Sequence, residues 1–278
     1  MTKDLPKALI TWSSGKDSAW ALHVARQSGD LDIVGALTTV TDSFARVSMH
    51  GVREELLAAQ LEAAGLPGVT VRIPYPCTND IYEREMAKAM QAAKADGVTH
   101  VIFGDLFLAD LRAWREEKLK AIGMTAVFSI WMRPTDELAR EMIAAGVEAH
   151  LAVVDLKKLP ASFAGRRFDG ALLGALPEGI DPCGENGEFH SFVSAGRCSS
   201  EVFPCASARR SSAMDLLSRI WWRPSYLRRG ACHELRSFPR RRESRSLAKA
   251  LGPRLRGDER SKAQNLRFSR VIRRRCVC

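Results

Sequence analysis

With 278 residues, 46% of them hydrophobic, the chain can bury one large core or two modest ones, and no apolar run is long enough to cross a membrane as a helix. The formal net charge of +10 is split: residues 1–197 carry 21 Lys and Arg against 26 Asp and Glu, and residues 198–278 carry 21 against 6. The basic character therefore belongs to a tail and says nothing about an acidic body. Seven cysteines without a Cys-x-x-Cys pair give little support to structural zinc or an iron–sulfur cluster, and the odd count argues against a disulfide framework. The first residues have no cationic segment followed by an apolar stretch, so the expected location is the cytoplasm.

The body alternates strand-like and helix-like segments. Ala8–Trp12 reads as a short buried strand, and residues 17–29 follow with helical spacing of Trp20, Leu22, Val24 and Ala25. Ile33–Leu37 is the next strand, residues 51–64 carry a helical stripe, and Val69–Ile73 is a strand stopped by Pro74 and Pro76. A helix over 79–95 is expected to open on Asn79 as its cap. Val101–Gly104, a helix over 109–122, Ala126–Phe128, a helix started by Pro134 and a strand at Leu151–Val154 continue the rhythm. Alternation of this kind predicts an α/β fold: an open, mostly parallel sheet with crossover helices on its faces. The expected organisation is an α/β domain over 1–125, a smaller domain over 126–197, and a basic, disordered tail over 198–278 with a short helical stretch near Met214–Ile220.

Ser13-Ser14-Gly15-Lys16-Asp17-Ser18 lies between the first strand and the first helix. Such a turn gathers backbone N–H groups at a helix N-terminus, where an anion is favoured. Ser13, Ser14 and Ser18 add hydroxyl donors, and Lys16 adds a cation read as mobile. A Walker-type loop needs Gly four residues before the Gly-Lys pair and Ser or Thr after the Lys; Ile10 and Asp17 stand there, so that reading fails. A Ser-rich helix cap remains the bland alternative. The position after the first strand, where open α/β sheets bind ligands, favours an anion-binding loop over the cap.

Asp181-Pro182-Cys183-Gly184-Glu185-Asn186-Gly187-Glu188-Phe189-His190-Ser191-Phe192 is the second concentration of chemistry. Two glycines permit a tight path, and Glu185, Glu188 and His190 supply two carboxylates and an imidazole. If the chain after Gly187 is extended, Glu188 and His190 share a face. Carboxylates there could orient ammonia or an amine, or help hold Mg²⁺; a polar turn entering a surface strand is the alternative. Cys183 carries no mark of an activated thiol. Arg112, Trp114 and Arg115 have the spacing of a solvated helix face.

The short loop resembles the pyrophosphate loop, S-G-G-x-D-S, of the N-type ATP pyrophosphatases, with Ser14 where Gly is commoner. Together with Phe103-Gly104-Asp105-Leu106, Arg112–Glu116, the Asp181–Phe192 run and a looser match at Asn79, Tyr82 and Glu83, the body resembles the diphthine–ammonia ligase family over nearly all of residues 5–194. That resemblance implies a HUP-like nucleotide-binding fold and an ATP-dependent, AMP-forming amide ligase. Lys16 and the loop amides would hold the β- and γ-phosphates of ATP with Mg²⁺, Asp17 would orient the loop or the metal, and Gly104 and Asp105 would face the nucleotide. Glu185, Glu188 and His190 would act in catalysis, with His50, Asn79, Glu83 and Arg112 on the substrate side. A substrate carboxylate would become an acyl-adenylate with loss of pyrophosphate, and ammonia would then displace AMP.

The family substrate is diphthine on elongation factor 2. The tail run Ser237–Arg245 resembles translated intergenic repeats of bacterial genomes, and a bacterial member would act on a different carboxylate. Family members continue past Phe-His-Ser-Phe-Val into a further strand beginning Asp-Gly-Pro, whereas Ser194–Arg197 leads into the basic tail, which implies a truncated substrate domain. Two competing readings stand. One is a tRNA-modifying ATP pyrophosphatase, to which the tail could add only nonspecific nucleic-acid contacts; the other is a nucleotide-binding module inactive as a ligase.

Overall fold

The computed structural model describes residues 4–197 and the strand at 202–204, all within one compact unit. In chain order the first half gives β1 (Lys7–Thr11), α1 (Lys16–Ser28), β2 (Asp32–Thr41), β3 (Arg46–Val47), α2 (Glu54–Ala63), β4 (Gly68–Ile73), α3 (Asn79–Ala95), β5 (Val98–Ile102), α4 (Ala109–Ala121) and β6 (Thr125–Val127). The rest gives α5 (Thr135–Ala144), β7 (Glu148–Val154), α6 (Gly170–Ala175), β8 (Phe189–Arg197) and β9 (Val202–Pro204). The short helix expected near Met214–Ile220 and the rest of the tail lie outside the described residues.

β1 is apolar on both faces, with Ala8, Leu9 and Ile10 all buried, as a central parallel strand requires. It pairs in parallel with β2 on one side and β5 on the other; β6 extends the sheet beyond β5. The long β2 also pairs with β4 through Ala36–Thr41, and with the antiparallel β3 through Val40 and Thr41. The chain thus builds outward from β1 to β2 and β4, then returns to its other side for β5 and β6. The strand order reverses at β1, so the crevice beyond the C-terminal ends of β1 and β5 is the natural ligand position of this α/β sheet.

Two differences from the sequence reading bear on that crevice. The helix expected from residue 51 begins at Glu54, because Met49 and Gly51 both take positive φ (66°) and close a turn in which the Val47 N–H donates to the Val52 carbonyl. That turn carries His50. Further on, Thr78 rather than Asn79 caps α3, its hydroxyl accepting from the Ile81 N–H, while Asn79 takes the first helical position.

A second, antiparallel sheet joins β7, β8 and β9, with Leu151 opposite Ser191 and Gly196 opposite Phe203. Strand pairing therefore crosses residue 197, where the tail was expected to begin. One apolar core runs from Trp12 and Leu22 at β1 and α1, through Leu138 and Met142 of α5, to Leu151 and Phe192 of β7 and β8. A second core, with Leu9, Leu37, Val71, Met90 and Leu119, lies under α3 and α4. Each such side chain contributes about 1.5–3 kcal/mol when fully buried, against about 0–1 for an exposed ion pair. Apolar packing, rather than surface charge, presses β8 against the end of β1.

Candidate active site

The loop after β1 is fixed before it meets any ligand. The Trp12 N–H donates to the Leu37 carbonyl (2.7 Å), and the Thr38 hydroxyl donates to the Trp12 carbonyl (2.8 Å). Ser14 then turns the chain with φ 70°, a left-handed conformation that costs a non-glycine residue about 1–3 kcal/mol. The one departure from the usual loop pattern thus falls where glycine geometry is required. Ser14 is fully buried, its hydroxyl has no hydrogen-bond partner among the described residues, and its carbonyl accepts from the Val193 N–H (3.0 Å) and Gln60 Nε2 (3.2 Å).

Gly15 is required for space. A Cβ there would stand 3.0 Å from His50 Cε1 and 3.3 Å from the Ser191 carbonyl oxygen. The Gly15 N–H donates to Ser13 Oγ (3.3 Å) and the Lys16 N–H to Ser191 Oγ (3.1 Å), while the Ser18 hydroxyl donates to the Gly15 carbonyl (2.9 Å). The first amides of α1, the groups that would cradle a phosphate, are thus held by the chain's own hydroxyls, one of them from β8.

Lys16 is buried, not the mobile cation the sequence suggested. Its Nζ donates to both Asp17 carboxylate oxygens (2.9 Å each) and to the Cys183 carbonyl, and it sits 5.4 Å and 5.6 Å from the ring centroids of Phe168 and Phe189. Burial alone would lower its pKa, but Asp17, with smaller contributions from Cys183 and Glu185, more than offsets this and holds the ammonium charged.

The two glutamates of the acidic turn have different surroundings. Glu188 is buried and accepts from the Asn186 N–H (2.9 Å) and, at 3.5 Å, from the Asp181 N–H, so its carboxylate closes the turn on itself. Asp181 does the same, accepting from the Cys183 N–H (2.7 Å) and from the Thr135 hydroxyl at the start of α5 (2.9 Å). Glu185 faces the loop instead. Burial, then Asp17 and Asp105, pushes its pKa up to about 8 against the pull of Lys16 and a backbone hydrogen bond from Leu106. Asp105, raised by burial and by Asp17 and opposed by Arg115, joins Asp17 and Glu185 in a group of three carboxylates, two of which act on Lys16. Gly104 allows that approach: a Cβ there would lie 3.0 Å from the Asp17 backbone.

His50 and His190 stack with ring centroids 4.5 Å apart. His50 is pushed down to about 3, first by burial, then by His190, with Lys16 adding to the effect. The neutral ring places Nδ1 3.3 Å from the Ser191 carbonyl, so the proton belongs on Nδ1. His190 is likewise lowered by burial and by Lys16.

The structure therefore brings together Ser13, Ser14, Gly15, Lys16, Asp17, Ser18, Gly104, Asp105, Glu185, His190 and His50, with Glu188 as an internal brace. Glu83 is instead paired with Lys118 (2.7 Å). Arg112 pairs with Glu116 (2.7 Å) and lies over the Phe128 and Trp131 rings. Asn79 stands in the first turn of α3. From α4 it is Arg115, read from sequence as part of a solvated face, that reaches Asp105 at 3.2 Å. Gln60 and Ser191 also went unread. Gln60 is one polar residue within a helical stripe, and Ser191 touches the loop only because β8 crosses it.

Carboxylate oxygens are the ligands Mg²⁺ takes, and burial first, then the neighbouring Asp17, raises both Glu185 and Asp105. Among the described residues no group of three or more side chains forms a metal cage by itself. That fits an ion held by one or two carboxylates together with phosphates. No helix of the described residues is long and apolar enough to cross a membrane.

No curated protein matches the chain. Residues 6–126 match the family model of the diphthamide synthase N-terminal domain, a match consistent with the diphthine–ammonia ligase group of N-type ATP pyrophosphatases.

Proposed function

We propose that the protein is an ATP-dependent, AMP-forming amide ligase acting on a carboxylate substrate. The observation that carries the reading is the meeting of Asp17 and Glu185 at a buried, charged Lys16, with Asp105 close to both carboxylates, beside a glycine-turned helix N-terminus at the strand-order reversal. ATP binding exchanges the internal partners of Lys16, the Asp17 carboxylate and Cys183 carbonyl, for oxygens of the β- and γ-phosphates. Asp17 and Asp105 are the residues that would hold Mg²⁺, which when bound neutralises charge on the phosphates. The substrate carboxylate oxygen bonds to the α-phosphorus and the bond to the bridging oxygen breaks, leaving acyl-adenylate and pyrophosphate. Ammonia then bonds to the acyl carbon, AMP leaves, and a proton passes from nitrogen to an adjacent base.

Glu185 is the base this geometry favours. With its pKa pushed up to about 8 it is mostly neutral at pH 7, and it is its ionised fraction, growing as pH rises towards 8, that takes the proton. A His50 lowered to about 3 is too weak a base to do so. The stacked imidazoles exclude water and offer neutral acceptors beside the acyl group. Positioning and charge stabilisation supply the acceleration, so no covalent protein nucleophile is needed, and the Cys183 thiol, pushed up to about 12 by burial, is unsuited to be one.

The test is to measure pyrophosphate and AMP release from ATP with and without ammonia and a panel of carboxylates. Release that requires both a carboxylate and ATP supports the ligase. ADP as product overturns it, stimulation by tRNA alone favours nucleic-acid modification, and binding without turnover favours a nucleotide-binding module.

A further inference from the structure

We infer that Gln60, on α2, is a positioning residue for the phosphate loop, acting by holding Ser14 in its left-handed conformation. The inference rests on the functional reading only for its consequence in ATP binding. The Gln60 side chain is buried and makes three hydrogen bonds. Its Oε1 accepts from Trp12 Nε1 (3.1 Å), and its Nε2 donates to the Ser14 carbonyl (3.2 Å) and the Val193 carbonyl (2.6 Å). An indole N–H can only donate, so Trp12 fixes which end of the amide carries the NH₂. Both amide hydrogens then have one arrangement, directed at carbonyls from two distant parts of the chain.

Ser14 needs such a hold. A non-glycine residue at φ 70° persists only where its surroundings over-determine it. Here the surroundings are two donors on one carbonyl, the Val193 N–H and the Gln60 amide. Release of Ser14 would swing the Gly15 and Lys16 N–H groups away from the helix N-terminus and from Ser13 and Ser191. Gln60 thereby couples the loop to β8 without touching ligand.

The experiment uses the full chain. Gln60→Met keeps the volume and removes all three hydrogen bonds. Well below its melting temperature it is expected to exchange the amide hydrogens of residues 13–18 about tenfold faster than wild type and to bind ATP about tenfold more weakly. Adding Ser14→Gly, which removes the conformational penalty, restores part of both losses. Unchanged loop exchange in the folded Gln60→Met variant overturns the inference, as does failure of Ser14→Gly to restore any of it. A melting temperature that falls while loop exchange stays constant marks a merely structural residue and also overturns it. Should Gln60→Met not fold, Trp12→Phe, which removes the donor that orients the amide together with part of a buried ring, is read the same way, against its own melting temperature and with a smaller expected change in the loop. If wild type binds no ATP, the functional reading fails, yet loop exchange still decides the role of Gln60.

Discussion

The phosphate loop and the acidic turn meet at Lys16, and they satisfy their polar groups in opposite ways. The loop is held from outside: Gln60, Ser191 and Val193 come from α2 and β8 to bond Ser14 and Lys16. The turn is held largely from within, by Asp181 and Glu188 accepting its own N–H groups, with the Thr135 hydroxyl and the Lys158 ammonium added from outside. A self-braced turn can present Glu185 as a rigid carboxylate, whereas the loop keeps its shape only while its neighbours are in place. Two glutamates three residues apart thus have different tasks, because one faces its own backbone and the other faces Lys16.

The sharpest way to break this comparison is at the shared residue. Lys16→Met removes the cation that Asp17 and Glu185 share and should lower ATP-dependent pyrophosphate release by about 10³-fold or more, read in a coupled assay. Next, Glu185→Gln should lower turnover by about 10²-fold with no loss in melting temperature, because the folded protein already favours the neutral form of that group. Glu188→Ala should invert the pattern: about 1–3 kcal/mol of stability lost in denaturant unfolding, with turnover per folded molecule changed far less.

The pH dependence of stability gives a smaller, graded test. Glu185 ionises near its ordinary value when unfolded but only near 8 when folded, so the folded state binds the extra proton and stability falls as pH rises between them. His50 has the opposite sense: unfolded it takes a proton below about 6.5, folded only near 3, so it costs stability as pH falls through that range. Between about pH 6.5 and 8 only the first effect operates, and Glu185→Gln should flatten the decline in the urea midpoint measured there. The smallest expected effect belongs to Ser191→Ala. Without the hydroxyl that holds the Lys16 N–H, the loop should loosen and ATP bind a few-fold more weakly; tighter binding would show that β8 competes with the ligand rather than supporting the loop.

Much of the fold was legible because its cause is local. The apolar run at Ala8–Ile10 and the helical stripes mark elements of a parallel sheet, and a turn between strand and helix marks its ligand edge. The loop and the acidic run could likewise be read as two stretches of reactive residues. What could not be read was direction. Glu185 and Glu188 look alike until the turn closes and one of them finds the Asn186 N–H. Lys16 seems free until Cys183, far along the chain, supplies a carbonyl. Arg112 and Arg115 share a helix, and only the end of β5 decides that the second meets Asp105. Glu83 and Arg112, expected on the substrate side, carry ion pairs to Lys118 on a neighbouring helix and to Glu116 on the same one.

The strand β8 bears on inheritance as well as on chemistry. Its Ser191 hydroxyl and Val193 N–H complete a loop whose residues were laid down some 175 positions earlier. A recombination that replaced residues 6–126 alone would import a phosphate loop shaped against a different strand. Ser14, with its demanding backbone angle, would be first to register the mismatch. The two segments are therefore constrained to change together, as a single hereditary unit written in two places.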